Sequence, residues 1–279
     1  MHNFFIVLLS ISSSVAVSAK VNEFDHKYRA FDSVLSSYVI KQDGMFRVNY
    51  KKLKQDHYSG DTRFRNVLIS FESVSEKQFE SFGKDQKLAF LINAYNAFVL
   101  RLIVDNYPTE SIRKILKPGL GPFDIEFFNL LGAPHHLDWI ENEMIRAQYK
   151  DPRINFALTR ASIGSPDLLP FAYKPELLPI QLNEGMKSFL VSPRHVHFDA
   201  KFRRLYVSKV FEWFQADFIG WKIPKKHLGD IPESDLVVRE IRDFIAQIAF
   251  KKGLEREQIL SRDTDLRYFD FNWQLNETH

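Results

Sequence analysis

Hydrophobic residues recur every three or four positions through the first half of the chain, which is the period of an amphipathic helix. The first pattern covers residues 23–40, with apolar positions at Phe24, Tyr28, Phe31, Val34, Leu35 and Tyr38. A second helix is predicted from Asp61, which can cap its amino end, through Phe71, and a shorter one after Ser75.

The longest helix is predicted over residues 84–106 and ends before Pro108, because proline does not continue a helix. A cluster of proline and glycine at residues 117–122 then indicates a loop. Residues 138–150 return to a helical pattern.

The second half of the chain mixes helices with short extended segments. Residues 152–158 are short and apolar and predict an extended segment, whereas residues 196–199 and 204–208 alternate around a polar turn and predict a hairpin. The remaining predicted elements are helices over residues 175–190, 209–218 and 234–252 and a closing strand over residues 267–273. We therefore expect one α+β domain over residues 20–279, with helices in the majority and a small antiparallel sheet or hairpin.

The first 19 residues have the composition of a cleavable signal peptide. An uncharged apolar core from Phe4 to Leu9 passes into a Ser-rich stretch, and Val17-Ser18-Ala19 offers the small residues that signal peptidase requires. The alternative is a retained anchor helix, but the segment is short and Ser-rich against the roughly 20 apolar residues that a span needs. We expect cleavage of residues 1–19 and a periplasmic or secreted protein.

Composition narrows the function further. The sequence contains no cysteine, which excludes disulfides, a cysteine nucleophile, a thiolate zinc site and an iron–sulfur cluster. Its 26 phenylalanines and 45% hydrophobic residues suffice for a large core. The 38 basic and 35 acidic side chains are finely interleaved, so a nucleic-acid partner is not expected.

Two other segments have less specific patterns. The basic cluster Lys222, Lys225, Lys226 and His227 is typical of a solvated loop. The apolar run at residues 88–104 is interrupted by polar residues and predicts a buried helix, so no membrane span is expected after the leader is removed.

Four segments, in order, resemble a known family. They are residues 88–108 (LAFLINAYNAFVLRLIVDNYP), 137–146 (LDWIENEMIR), 151–168 (DPRINFALTRASIGSPDL) and 205–218 (LYVSKVFEWFQADF). They look like the blocks of the family catalogued as domain of unknown function 547, and the resemblance covers roughly residues 85–250. The ending FDFNWQLNE at residues 269–277 is similar to the terminus of bacterial members, which are often exported. The resemblance implies no settled biochemical activity.

The departures from this family concern its reactive side chains. Many relatives carry a cysteine where this chain has Arg160, another where it has Ser165, and a histidine where it has Asn142. A cysteine and a histidine in one cleft can constitute a nucleophile and its base. Their absence here favours a binding protein or a relict of an enzyme.

Polar residues in apolar helices are the first candidates for a ligand site. Asn93 and Asn96 share one face of the long helix, and they either tie loop backbone to the helix or form the polar floor of a cleft. Glu141 and Asn142 lie on an otherwise apolar helix, and Arg153 follows shortly after. An acid and an arginine so placed form either a buried pair or part of a site.

The segment Arg160-Ala-Ser-Ile-Gly-Ser-Pro166 has the composition of a loop whose backbone closely approaches another group. Arg160 can bind an anion or peptide, whereas Ser162 or Ser165 as a nucleophile would need a base. An ordered structural turn is the third possibility. We expect this loop to border the main cleft, face the Asn142 helix and favour an anionic ligand; the alternative pairs Arg160 with Glu141 or Asp138.

The alternating His195, His197 and Asp199 can form a metal triad or a solvent-facing strand, and the second interpretation is favoured. No metal and no cofactor are therefore predicted. The sequence favours a non-catalytic domain that binds a small-molecule or peptide ligand. The alternatives are a hydrolase or transferase that uses a serine or an activated water, with His136, Glu141 and Ser162 in reach of one another, and a purely structural component of the envelope.

Overall fold

The computed structural model describes residues 23–219, 233–250 and 253–279 of the 279-residue chain. The predicted leader and the basic cluster at residues 222–227 lie outside the described residues. In the described part the α-helices are α1 (Arg29–Tyr38), α2 (Tyr50–Tyr58), α3 (Arg63–Glu72), α4 (Glu76–Glu80), α5 (Lys84–Asn106), α6 (Leu178–Val191), α7 (Val210–Trp213), α8 (Gln215–Phe218), α9 (Glu233–Ile248) and α10 (Leu254–Leu260). The strands are β1 (Val39–Gln42), β2 (Met45–Val48), β3 (Phe128–Leu130), β4 (Ala133–His135), β5 (Val196–Asp199), β6 (Arg204–Val207) and β7 (Asp265–Tyr268).

The α+β fold class is confirmed, with helices in the majority and small sheets. β1–β2 and β3–β4 are two-stranded antiparallel hairpins. The predicted hairpin β5–β6 is present, and β7 joins it as a third strand that runs parallel to β6. The last strand therefore lies slightly earlier than the predicted residues 267–273.

Helix α5 is the centre of the fold and has the predicted limits. Nearly all of its side chains between Leu88 and Val104 are buried, because α2, α3 and the segment around residue 140 pack against it on several sides. By length and composition α5 could cross a membrane, but 89% of its most apolar window is buried inside the protein. This burial identifies it as a core helix.

The first predicted helix is shorter than its hydrophobic pattern. Residues 39–42 form β1 instead, because Val39 and Ile40 are β-branched and pair with Val48 and Arg47 of β2. Helix α2 carries few apolar residues and was not predicted; the Asn49 side chain caps its amino end by accepting from the Lys52 amide at 2.9 Å.

The predicted extended segment at residues 152–158 is wrong. Pro152–Phe156 forms a 3-10 helix, because Pro152 occupies the first helical position and the Asp151 carboxylate accepts from the Arg153 amide at 3.0 Å. This turn joins the two apolar clusters of the molecule: Ile154 packs into the cluster around α1–α5, and Phe156 into the cluster formed by α6, the β5–β6–β7 sheet and α9.

His195 is a second correction, since it does not lie on a solvent-facing strand. It precedes β5, is 2% exposed, and stacks on Phe189 with ring centroids 3.8 Å apart. Burial, followed by the charge of Arg194, holds the pKa of His195 well below its usual 6.5. Among the described residues no group of three or more His, Asp or Glu side chains is placed to hold a metal ion.

This buried neutral histidine makes folding sensitive to acid. Below about pH 6.5 the unfolded chain binds a proton that the folded chain does not bind. The free energy of unfolding therefore has its full value above that pH and decreases as the pH falls, by up to about 1.4 kcal/mol per pH unit. His195→Phe keeps the stacking on Phe189 and should remove this part of the slope. Urea denaturation between pH 7 and pH 5 measures it. The control His197→Phe, on the exposed side of β5, should leave the slope unchanged; equal slopes in wild type and His195→Phe would contradict the assignment.

Candidate functional site

Asn93 and Asn96 are buried, as predicted, and each binds the backbone of a neighbouring segment. Asn93 donates to the carbonyl of Tyr173 at 2.7 Å and accepts from its amide at 2.9 Å. Asn96 donates to the carbonyl of Ala157 at 2.9 Å and accepts from the amide of Thr159 at 3.0 Å. Since both amides are buried and hydrogen-bonded to backbone through oxygen and nitrogen, these side chains connect α5 to the loops and do not form the floor of a cleft.

Glu141 and Arg160 form a buried ion pair. Arg160 Nη2 donates to Glu141 Oε1 at 2.5 Å, and the two side chains are 6% and 4% exposed. Burial alone would lower the pKa of Arg160, but the adjacent Glu141 raises it above its usual value. The loop thus faces the helix that carries Asn142, as expected. The structure adopts the alternative arrangement for the side chain, however, because the guanidinium is neutralised by Glu141 and is not offered to an anionic ligand.

The helix that carries Glu141 is wound more loosely than an α-helix. Trp139–Arg146 forms a π-helix, a form that is rare and often marks specialised sites. Its half-buried Asn142 accepts from Arg146 at 2.9 Å, and Arg146 also binds Asp217 through two nitrogens at 2.9 Å each. The guanidinium carbons of Arg146 and Arg160 lie 4.5 and 5.0 Å from the ring centroid of Phe214. Asn142, which stands where many relatives carry a histidine, is therefore part of a hydrogen-bonded network with the charged side chains of Arg146 and Asp217.

The loop after Arg160 approaches the chain's own closing segment, which we define as residues 271–279. A Cβ at Gly164 would lie 2.8 Å from the amide nitrogen of Asn272, and the Gly164 amide donates to the Asn272 carbonyl at 2.8 Å. Ala161, with φ of 50°, turns the loop toward this segment and accepts from the Asn276 amide at 3.2 Å. The predicted close approach is thus made to residues 271–279.

The two serines of this loop are not arranged as nucleophiles. Ser165 donates to the backbone carbonyl of Ser162 at 2.9 Å, and the Ser162 hydroxyl is buried without a hydrogen-bond partner. His136 accepts from the Trp139 amide at 3.2 Å. Glu141 binds Arg160 and also accepts from the Tyr95 hydroxyl at 3.4 Å. Within the described residues, the hydrogen bonds do not join His136, Glu141 and Ser162 as a hydrolase would require.

Arg153 is the predicted site residue that lines an open pocket. This pocket, of about 350 Å³, lies between the start of α5 and the start of α6. The Arg153 guanidinium binds Asp151 through Nε at 2.9 Å and donates to Asn183 at 2.9 Å. Its hydrogen-bonding capacity is largely used within the protein, so the eight predicted residues do not converge on one cleft.

A cleft of about 1030 Å³, which we call the tail cleft, is larger than the pocket beside Arg153. It lies between the segment after α5, β2 and the closing segment. Its lining includes Arg47, Tyr107, Glu110, Lys114, Ile163, Gln274 and Glu277. Of the loop after Arg160, only Ile163 lines this cleft.

The closing segment forms one wall of the tail cleft. Leu275 donates from its amide to the Glu110 carbonyl at 2.9 Å, and the Val48 amide donates to the Asn276 carbonyl at 2.9 Å. The Tyr107 hydroxyl donates to the Glu277 carboxylate, and burial together with that carboxylate raises the pKa of Tyr107 to about 12. Tyr107 therefore stays a donor at neutral pH and holds this wall in place.

The charges in the tail cleft are balanced and mostly paired. Lys114 binds Glu110 in an exposed i, i+4 pair, and Arg47 donates to the Glu277 carbonyl at 3.1 Å. None of the tail-cleft residues was predicted as a site residue. The available signal was the resemblance of residues 269–277 to the family terminus, which marks the segment but not its role.

Fold and site together define an α+β domain with a large cleft of mixed polar and apolar lining, in which Ser162 and Ser165 of the Arg160 loop are not hydrogen-bonded to a base. Residues 79–190 match the family model described as "Protein of unknown function, DUF547". The resemblance noted in the sequence is confirmed over this range, which includes α5, the π-helix and the Arg160 loop but not residues 205–218 or the closing segment. No curated protein and no solved structure matches the chain.

Proposed function

We propose that this protein is a non-catalytic binding domain that holds a neutral, polar ligand in the tail cleft. The main observation behind this proposal is the cleft itself. Its volume of about 1030 Å³ is at the upper end of the range of small-molecule sites, and its lining includes side chains that can donate and accept hydrogen bonds. The lining includes two basic side chains, Arg47 and Lys114, and two acidic ones, Glu110 and Glu277, so these four charges cancel. His279 also lines the cleft.

The neutral ligand replaces the anionic one expected from the sequence. That expectation depended on Arg160, whose charge is paired with Glu141 away from the tail cleft. A catalytic role is less well supported than binding, because the serines of the Arg160 loop lack a base and the chain has no cysteine.

Export belongs to the same proposal. It rests on the uncharged apolar leader and the Val17-Ser18-Ala19 pattern. A periplasmic or secreted location would bring the domain into contact with neutral polar molecules outside the cytoplasm.

The test uses the full chain isolated from its native host. N-terminal sequencing should start at Lys20, whereas a start at Met1 would contradict export. Small molecules released by denaturation are then identified by mass spectrometry. We expect a neutral polar compound in near-stoichiometric amount from the wild type.

A bulky side chain in the tail cleft should abolish this recovery. Gln274→Trp places an indole at an exposed lining position and should lower the recovered amount at least tenfold. The matched control Gln55→Trp, on the exposed face of α2 away from the cleft, should behave like the wild type. Equal recovery from all three proteins, including none, would overturn the proposal, as would recovery of a chemically converted product.

A further inference from the structure

The closing segment carries aromatic side chains on the surface next to the tail cleft. Phe271 and Trp273 are half-buried, with ring centroids 4.4 Å apart. Trp213 at the end of α7 lies against both, at 4.8 Å from Phe271 and 5.7 Å from Trp273, and is 40% exposed. Three large aromatic rings grouped at the surface are unusual outside a binding site, since folding ordinarily buries such rings.

Polar side chains stand beside two of these rings. A groove of about 550 Å³, which we call the aromatic groove, is lined by Phe271 and Trp273 and by polar residues of two segments. The polar residues are Glu110, Ser111, Lys114, Asn272 and Gln274. They offer a carboxylate, a hydroxyl, an ammonium and two amides, so donors and acceptors surround an apolar surface.

The Trp273 ring is held in a fixed position. The guanidinium carbon of Arg113 lies 5.3 Å from its centroid, which is the geometry of a cation–π contact. Backbone hydrogen bonds on both sides, from Gly164 to Asn272 and from Ile163 to Gln274, fix the main chain that carries it. A ring that is already ordered loses little entropy when a ligand stacks on it.

The aromatic groove and the tail cleft are adjacent. Glu110, Lys114 and Gln274 line both. A ligand that covers the aromatic groove can therefore reach the tail cleft past the side chains of Glu110 and Lys114.

We propose that the aromatic groove and the tail cleft together bind a neutral oligosaccharide. This inference rests on the proposed function and specifies the class of its ligand. A pyranose ring has an apolar C–H face that stacks on an aromatic ring and a rim of hydroxyls that both donate and accept. These are the two surfaces that the groove presents. Two adjacent cavities of about 1030 and 550 Å³ leave room for more than one sugar, and the balanced charges of Arg47, Lys114, Glu110 and Glu277 match a neutral glycan.

Calorimetric titration of the full chain with three neutral hexasaccharides, cellohexaose, maltohexaose and hexa-N-acetylchitohexaose, tests the inference. At least one should bind. Trp273→Ala should weaken its binding by about tenfold, because it removes a stacking surface of the groove. Trp213→Ala removes the ring that packs against Phe271 and Trp273 from outside the groove lining and should weaken binding by at least threefold. Asn272→Ala keeps the backbone hydrogen bond from Gly164, removes the side-chain bonds to Gln274 and should weaken binding by at least threefold. Phe202→Ala, an exposed aromatic outside the groove, should have no effect.

Several outcomes would overturn the inference. The inference is wrong if no hexasaccharide binds. It is also wrong if Trp213→Ala and Asn272→Ala both bind with the same affinity as the wild type. Binding of decaproline instead, lost in Trp213→Ala, would assign the rings to a proline-rich peptide. If the hexasaccharides fail while Gln274→Trp still loses its co-purified compound, the sugar class falls and the binding function of the tail cleft stands.

Discussion

Replacing Arg160 by alanine should destabilise the fold by about 3–5 kcal/mol, because it leaves the Glu141 carboxylate buried without its partner. Arg160 and Glu141 are both almost fully buried, and desolvation of an unpaired charge at such a site is costly. Urea denaturation of the variant and the wild type gives the difference. Most domains have only about 5–15 kcal/mol of stability, so the variant should be close to unfolding at physiological temperature.

A double substitution separates the charge from the packing. In Glu141→Leu/Arg160→Met both charges are gone and the volumes are approximately kept, so most of the lost stability should return. The matched control Arg267→Ala breaks an exposed pair with Asp265 and should cost at most about 1 kcal/mol. If Arg160→Ala is nearly as stable as the wild type and loses ligand affinity, the arginine faces the ligand and the pairing described here is wrong.

Deleting residues 272–279 should cost at least about 4 kcal/mol, since it removes Leu275 from the core and six backbone hydrogen bonds to the rest of the chain. These bonds connect the closing segment to Val48, Glu110, Ala161, Ile163 and Gly164. The buried Tyr50 hydroxyl also loses its partner, the Asn276 side chain, at 2.8 Å. Thermal melting and soluble yield measure the effect.

A point substitution tests the same contact in the full-length chain. Gly164→Ala places a Cβ against the Asn272 backbone and should cost about 1–3 kcal/mol. Gly121→Ala, whose Cβ would meet only the flexible Asp124 side chain at 3.3 Å, should stay within about 0.5 kcal/mol of the wild type. Equal stability of both alanine variants and the wild type would contradict the proposed role of Gly164.

Local patterns predicted those elements whose stability depends on local sequence. The limits of α5 follow from its apolar length and the proline at position 108, and the Ser75 side chain caps α4 as expected by accepting from the Gln78 amide. The β1–β2 hairpin was not predicted, because helical periodicity continues into Val39 and Ile40. Its pairing depends in part on Asn276, more than 200 residues away, and no local pattern indicates such a contact.

The candidate site could be predicted less well than the fold. The sequence correctly indicated buried Asn93 and Asn96 and a close approach at the Arg160 loop. It predicted an anionic ligand for Arg160, whereas the structure has the alternative pair with Glu141, and sequence could not separate the two because both partners suit a guanidinium. The tail cleft is formed by segments from four separate parts of the chain, so its residues share no spacing that a sequence pattern can identify.

The closing segment also sets an order on the assembly of the protein. On the side of β2 away from β1, the backbone of Val48 hydrogen-bonds to Asn276 and Thr278. The backbone of the loop at residues 161–164 hydrogen-bonds to Asn272, Gln274 and Asn276. A chain that becomes free to fold from its amino end therefore has α1–α5 able to pack while the edge of β2 and this loop remain open. Such an incomplete molecule exposes unpaired backbone until the closing segment follows, and chaperones would bind it in this interval.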